Sequence, residues 1–316
     1  PNRTQTRPCF MLIADNPFEA VIKWSGSKRS VAASLRHLFP KATRYFEPFV
    51  GGGAMLPFRP CREAVAGDVI PELIDLWTCI RDEPEKTATE YTKRWQKLQD
   101  QGHTAYYAIR DSFNRTRNPH DFLFLTRTCV NGLIRFNGDG DFNNSLHHTR
   151  PGIAPQRLRE ILCKWSIALQ GVSFAKTDYR ETLSSVAAGD LVFLDPPYAG
   201  TRGRYLQEEF DVAGFYSELE RLNEIGAKWV VTFDGYAGER TYDEALPKYL
   251  FEKRLALPTG NSPFTKLMRT GVDAVVESVY LNFEPPTKLL RSFSDNRHEK
   301  ISLGARHNVQ QGRLFA

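Results

Sequence analysis

The chain has little cysteine and no pattern in what it has. Its five cysteines, Cys9, Cys61, Cys79, Cys129 and Cys163, are scattered, odd in number and never in C-x-x-C spacing. A disulfide framework and a cysteine zinc site are thereby excluded, and reduced thiols in a cytoplasm are expected. No apolar run is long enough to cross a bilayer. The polar start has no charged segment leading into an apolar one, so no secretory signal is expected. Charge of one sign is also scarce: the formal balance is +5 over 316 residues. That permits a polyanionic partner without demanding one.

What is present is the composition of a soluble globular protein, long enough for one α/β domain with an insertion or for two modest domains. The organising stretch is Leu191-Val192-Phe193-Leu194-Asp195-Pro196-Pro197-Tyr198. Four apolar residues read as a buried parallel strand. Neither proline has an N–H and each fixes its own φ, so the ladder must stop at Asp195. An acid, a proline carbonyl and an aromatic ring then stand beyond the carboxyl end of a central strand, where open α/β sheets hold ligands. Asp195 and the Pro196 carbonyl can accept both hydrogens of an exocyclic amine while Tyr198 stacks on its ring. Those three are the candidate catalytic residues. Read bare, the same residues are a strand closed by a stiff turn.

Three stretches upstream point to a cofactor. Lys23-Trp24-Ser25-Gly26-Ser27-Lys28 leads into Val31, Leu35, Leu38 and Phe39 at helical spacing, with Ser25 or Ser27 as cap and Pro40 as stop. Gly26 allows close approach to the backbone, and Lys28 in the first turn favours a carboxylate. Tyr45 to Ala54 then reads as a strand turning through Gly51, Gly52 and Gly53, whose backbone can face a ligand. It is neither a P-loop nor G-x-G-x-x-G. Glu47, Phe49, Gly51 and Gly53 are cofactor candidates. A second strand ends at Asp68, placed for ribose hydroxyls or to cap the helix from Pro71. A nucleoside with a carboxylate tail and no phosphate fits the set, and S-adenosylmethionine answers that description.

From about Asp82 to Arg150 the α/β rhythm lapses. Glu83 to Gln101 reads as a helix with Trp95 and Leu98 on its packing face. A basic and aromatic stretch follows, including Arg127, a candidate for DNA. Gly138-Asp139-Gly140 between Phe136 and Phe142 reads as a hairpin tip. Gln156 to Leu169 is an amphipathic helix. Val172 to Phe174, Lys228 to Phe233, Tyr249 to Leu257 and Val275 to Phe283 read as strands, with Leu257 to Pro263 a loop and Thr201 to Tyr205 a flexible basic loop. Residues 1 to about 17 form a polar arm. From Glu284 onward composition shifts to an extended or disordered basic tail.

In serial order, K-W-S-G-S-K at 23–28, E-P-F-V-G-G-G-A at 47–54, D-V-I-P-E-L-I at 68–74, R-T-C-V-N-G-L-I-R-F-N at 127–137 and D-P-P-Y at 195–198 resemble the Dam-type DNA adenine-N6 methyltransferases, a family found in restriction-modification. The resemblance runs from Lys23 to about Phe283. It implies a Rossmann-like methyltransferase α/β sheet, mostly parallel with helices on both faces, plus an inserted, mainly helical target-recognition region with a β-hairpin. Domain limits of 1–80 with 166–284, 81–165, and a tail at 285–316 follow. It further implies that Trp24, Lys28, Asp68 and Asp195 bind S-adenosylmethionine, that Tyr179 lies near its adenine, and that Asn131, Leu133, Arg135 and Asn143 lie near double-stranded DNA. The expected state is a monomer or weak dimer, with no metal and no membrane. His147 and His148, adjacent and without partner acids, read as polar surface. GATC-methylating members carry a proline after the positions matching Phe142-Asn143, where this chain has Asn144, so a GATC target is not assumed. Gln311 to Phe315 resembles the Q-x-x-L-F peptide that docks on the replication sliding clamp. Cytosine-N4 methylation uses the same chemistry, and a catalytically silent DNA-binding module is the alternative outside enzymes.

Overall fold

The structure, a computed structural model, describes residues 18–147, 149, 151–197, 210–237, 240–242, 245–261, 274–285 and 294–295. Tyr198, the 201–205 loop, the arm at 1–17 and the peptide at 311–315 lie outside these. Among the described residues nine strands form one sheet. β1 (Tyr45–Glu47), β2 (Ala64–Asp68), β3 (Val172–Lys176), β4 (Leu191–Leu194) and β5 (Lys228–Ala237) are parallel, in the spatial order β3-β2-β1-β4-β5. Strand order therefore reverses between β1 and β4, and the crevice beyond their carboxyl ends is the place for a ligand. β6 (Arg240–Tyr242) folds back on β5, β7 (Lys253–Asn261) and β8 (Ala274–Leu281) add an antiparallel pair beside it, and β9 (Ser294–Asp295) lines β7.

The period of two along a strand divides the apolar residues between two cores. Tyr45, Leu191, Phe193 and Val230 belong to one, and Phe46, Val192, Leu194, Trp229 and Val231 to the other. The first is covered by α1 (Ala32–Leu35), α2 (Pro71–Asp82), α3 (Pro84–Gln101), α4 (His103–Thr116), α5 (Pro119–Thr128) and α6 (Pro155–Ala168). The second lies under α7 (Tyr179–Leu183) and α8 (Val212–Glu224). Helices thus lie on both faces, as the resemblance implied. Pro71, Pro84, Pro119 and Pro155 each open a helix, where a missing N–H is harmless and φ is already set. The inserted helices share the first core: Trp165 of α6 meets Trp77 of α2 at 5.0 Å between ring centroids. The expected limit between 165 and 166 falls inside α6.

Several local expectations change. The helix expected after Ser27 is three short turns, Lys28–Ser30, Ala32–Leu35 and Arg36–Leu38, and Ser27 makes no side-chain cap. Without that cap the orphan N–H groups favour tight i→i+3 turns. The expected loop from Leu257 is strand as far as Asn261, because a register shift at Pro258–Gly260 absorbs the residue that cannot donate. β5 likewise continues past Phe233 across a shift before Gly235. The expected hairpin is two isolated antiparallel bridges, Cys129 with Leu146 and Phe136 with Phe142. Backbone bonds from Asn137 N–H to Asp141 O (2.9 Å) and Asn143 N–H to Arg135 O (3.0 Å) pair the two arms around the expected tip, and Asn137 Oδ1 accepts from the N–H groups of Asp139 and Asp141, at 3.1 and 2.7 Å.

Arg59 ties the glycine-rich half of the sheet to the end of α6. Its guanidinium is buried and donates to the carbonyls of Leu56 (2.8 Å), Ala168 (2.7 Å), Gln170 (2.8 Å) and Arg62 (3.2 Å). Arg59→Met leaves those carbonyls unpaired in a closed space. We expect unfolding free energy to fall by about 2–4 kcal/mol in urea titrations followed by tryptophan fluorescence. An unchanged midpoint would show that water replaces the guanidinium without loss.

Candidate active site

Asp195 emerges where β4 ends, since Pro196 and Pro197 supply no N–H to continue the ladder. Thr232 on neighbouring β5 is fully buried, and its hydroxyl donates to Asp195 Oδ1 at 2.8 Å. The Lys28 ammonium lies 2.9 Å from the same oxygen and 3.3 Å from Glu277 Oε2 on β8. Lys28 is 4% exposed, so it is held between two carboxylates and does not project from a helix start into water. A third acid stands close by. Glu47, at the end of β1, is buried and accepts from the Tyr45 hydroxyl at 2.9 Å. Burial pushes its carboxyl up to about 8 and the charge of Asp195 adds to this, while the Tyr45 hydrogen bond and Arg59 oppose it.

The segment carrying Lys28 is docked on the glycine turn. A Cβ at Gly51 would stand 2.5 Å from Trp24 Nε1, and the residue's φ is +43°. Only glycine meets both demands. Gly53, at φ +65°, would place a Cβ 2.9 Å from the ring of Trp77, whose indole N–H donates to the Gly51 carbonyl at 3.0 Å. Gly26, at φ +81°, faces open space.

On the other side of β1, Asp68 ends β2. Its carboxylate accepts from Gly51 N (3.1 Å) and Ile70 N (3.2 Å), and burial pushes it up to about 6 against those two bonds and the Val69 N–H. β1 lies between β2 and β4, so the Asp68 and Asp195 strands run about 10 Å apart. Phe49, just beyond β1, stacks on Tyr179 at 5.2 Å and 29°. Phe210 and Phe215 close the cluster. The Tyr179 hydroxyl is buried without a partner, and burial pushes it up to about 12.

The structure thus gathers Lys28, Glu47 and Asp195 at one acidic corner, and Phe49, Gly51, Asp68 and Tyr179 at an aromatic one, with Trp24, Gly26 and Gly53 in the turns between. Pro196 is buried beside Asp195. Of the residues expected near DNA, Arg135 is exposed and its Nε donates to Asn143 Oδ1 at 2.7 Å. Asn131 is exposed at φ +56°, and Leu133 is half-buried. Arg127 is largely buried and donates to the Ala20 carbonyl at 3.1 Å. Asn144, where the resemblance breaks, is buried and donates to the carbonyls of Val130 (2.9 Å) and Leu133 (2.8 Å), fixing the loop's shape. Thr232, Glu277, Tyr45 and Phe210 escape sequence reasoning. For Glu277 and Thr232 the one available sign was a polar residue inside a largely apolar strand. Among the described residues there is no cluster that could hold a metal ion, and no helix long and apolar enough to cross a membrane.

Comparison with known proteins finds a family and several relatives. A family model described as D12 class N6 adenine-specific DNA methyltransferase matches residues 24–253. The chain is 30% identical over 234 residues to the DNA N-6-adenine-methyltransferase of Escherichia phage P1, covering 68% of this chain and 30% of that protein. It is 28% identical over 184 residues to the DNA adenine methylase of Vibrio cholerae (57% and 65% covered), and 28% identical over 245 to the type II methyltransferase M.MjaIII of Methanocaldococcus jannaschii (67% and 82%). The chain therefore spans under a third of the phage protein and slightly under two thirds of the Vibrio one.

Glu47 yields a prediction in pH. Its folded carboxyl titrates near 8, above the ordinary carboxylate value, so between the two the native state keeps a proton that the unfolded chain has released. Stability then falls as pH rises, by at most about 1.4 kcal/mol per unit from this group, and is lost through pH 8. Urea titrations of Glu47→Gln and the parent at pH 6 and 8.5 should show the variant gaining relative stability at the higher pH. Parallel curves at both values would contradict a buried, protonated Glu47.

Proposed function

The chain belongs to the D12 class N6 adenine-specific DNA methyltransferases, and on that premise we propose that it transfers a methyl group from S-adenosylmethionine to the N6 amine of an adenine flipped out of double-stranded DNA. The observation that carries this is the braced acid: Asp195, at the end of a ladder closed by two prolines, with Thr232 and Lys28 on one of its oxygens. The amine of adenine is a poor nucleophile because its lone pair is delocalised into the ring. Hydrogen bonds from its two protons to Asp195 and the Pro196 carbonyl favour a pyramidal nitrogen and turn that lone pair outward. Tyr198 offers the face on which the flipped base stacks. Placement and field, rather than covalent catalysis, supply the rate.

S-adenosylmethionine, when bound, supplies an electrophilic methyl group on a sulfonium. The residues fit such a group. The buried Tyr179 hydroxyl lacks a partner beside the ring of Phe49, and Asp68 is an acceptor suited to ribose hydroxyls. Trp24, Gly26, Gly51 and Gly53 shape the turns that approach the ligand. Among the described residues two carboxylates share the Lys28 ammonium while Glu47 stays uncharged near neutrality, so these groups carry formally one negative charge in excess. That complements a sulfonium. Arg127, Asn131, Leu133, Arg135 and Asn143 are proposed for the DNA side, Arg127 through the segment it anchors and the others from the loop itself. A cytoplasmic monomer or weak dimer is the proposed working state.

Incubating the protein with duplex DNA and labelled S-adenosylmethionine, then digesting to nucleosides, tests the proposal. Label is expected in N6-methyldeoxyadenosine. Label in N4-methyldeoxycytidine instead, or DNA bound with no label, would refute it. Asp195→Ala should lower transfer by about 100-fold or more while DNA affinity largely survives. Undiminished transfer would overturn the role of Asp195. Docking of Gln311 to Phe315 on a sliding clamp is proposed from the sequence alone. Deleting 311–316 should abolish retention on immobilised clamp, and equal retention of both forms removes the idea.

A further inference from the structure

Two side chains outside the expected set bear on Asp195, Thr232 directly and Glu277 through Lys28. Thr232 Oγ1, fully buried on β5, donates to Asp195 Oδ1 at 2.8 Å. The Lys28 ammonium approaches that oxygen at 2.9 Å, and Glu277 of β8 approaches the ammonium at 3.3 Å through Oε2 and 3.5 Å through Oε1. Oε2 of Glu277 is closed off from solvent and meets hydrogen-bond geometry with no donor. Its attraction to the ammonium is therefore electrostatic. A carboxylate in the middle of a largely apolar strand, spent on a lysine already paired to another acid, is a costly arrangement unless it does something for that acid. Among the described residues no hydrogen bond reaches Asp195 Oδ2.

We propose that Thr232 and Glu277 are positioning residues for methyl transfer, which together hold Asp195 so that Oδ1 is occupied and Oδ2 is the oxygen that receives the target amine. The inference rests on the methyltransferase reading and adds to it which atom does the accepting and what aims it. Thr232 fixes the torsion of the carboxylate directly. Glu277 acts one step further away. It draws part of the ammonium's field onto itself, so Lys28 stays over Oδ1 without cancelling the charge that makes Oδ2 a strong acceptor. Both side chains come from strands whose backbones are locked by the sheet, which keeps the aim rigid. Among the described residues, the charged and titratable groups facing Asp195 are Lys28 from the turn after Trp24, Glu277 from β8 through that lysine, and Glu47 from β1 with its Tyr45 partner.

Thr232→Val removes the donor that fixes the carboxylate, and Glu277→Gln leaves the ammonium entirely to Asp195. In each variant kcat should fall about 10- to 100-fold, while KM for duplex DNA changes little and, in Thr232→Val, so does KM for S-adenosylmethionine. Thr232→Ser, which keeps the hydroxyl, should restore most of the rate. Binding of labelled S-adenosylmethionine without DNA gives a second measurement and should be near that of the parent in Thr232→Val and Thr232→Ser. A parent enzyme that leaves adenine unmethylated removes the underlying reading. A parent that methylates, with Thr232→Val or Glu277→Gln as fast as it, overturns the positioning roles alone.

Discussion

An ammonium with almost no access to water stands between two carboxylates, and the arrangement of the sheet makes sense around that contact. Lys28 precedes the first strand, Asp195 follows the fourth, and Glu277 sits inside the eighth. They meet because the parallel core ends in the middle of the sheet and an antiparallel pair closes against β5. Charges removed from water must be matched locally. A fold that brings Asp195 and Glu277 this close therefore requires a cation such as Lys28, and the turn that delivers it must dock closely.

That docking explains the glycine run. Gly51 leaves room for the Trp24 ring, Gly52 for Trp24 Cβ and the Ser27 side chain, and Gly53 for Trp77. The same turn offers the Gly51 N–H to Asp68. One loop thus sets both the reach of the lysine and the seat of the second acid. The glycines serve indole packing as much as any ligand, a use distinct from cradling phosphate.

The helical insertion is not a bead on a string. Its helices and α2 share one apolar core with the sheet, and Asn144 and Asn137 hold its projecting loop by side-chain hydrogen bonds. The loop therefore keeps its shape through short-range polar contacts. Its exposed residues can differ between relatives without disturbing the scaffold.

Much was legible in one dimension because it depends on neighbours in sequence. The abrupt end of β4 follows from two prolines, the helix starts from prolines at their first turns, and the alternation of Leu191 to Leu194 from a strand buried on both faces. Lys28, Asp68 and Asp195 stood out because each punctuates an element. Thr232 and Glu277 did not, since each lies within a largely apolar strand and its partner lies 37 or 249 positions away. The continuation of β7 past Pro258 was hidden for a related reason: a bulge is decided by the opposite strand. The residues fixed where each element stops. Only the closing of the sheet, which is set by packing between distant segments, decided that a lysine and a threonine would meet at one acid with a glutamate behind the lysine.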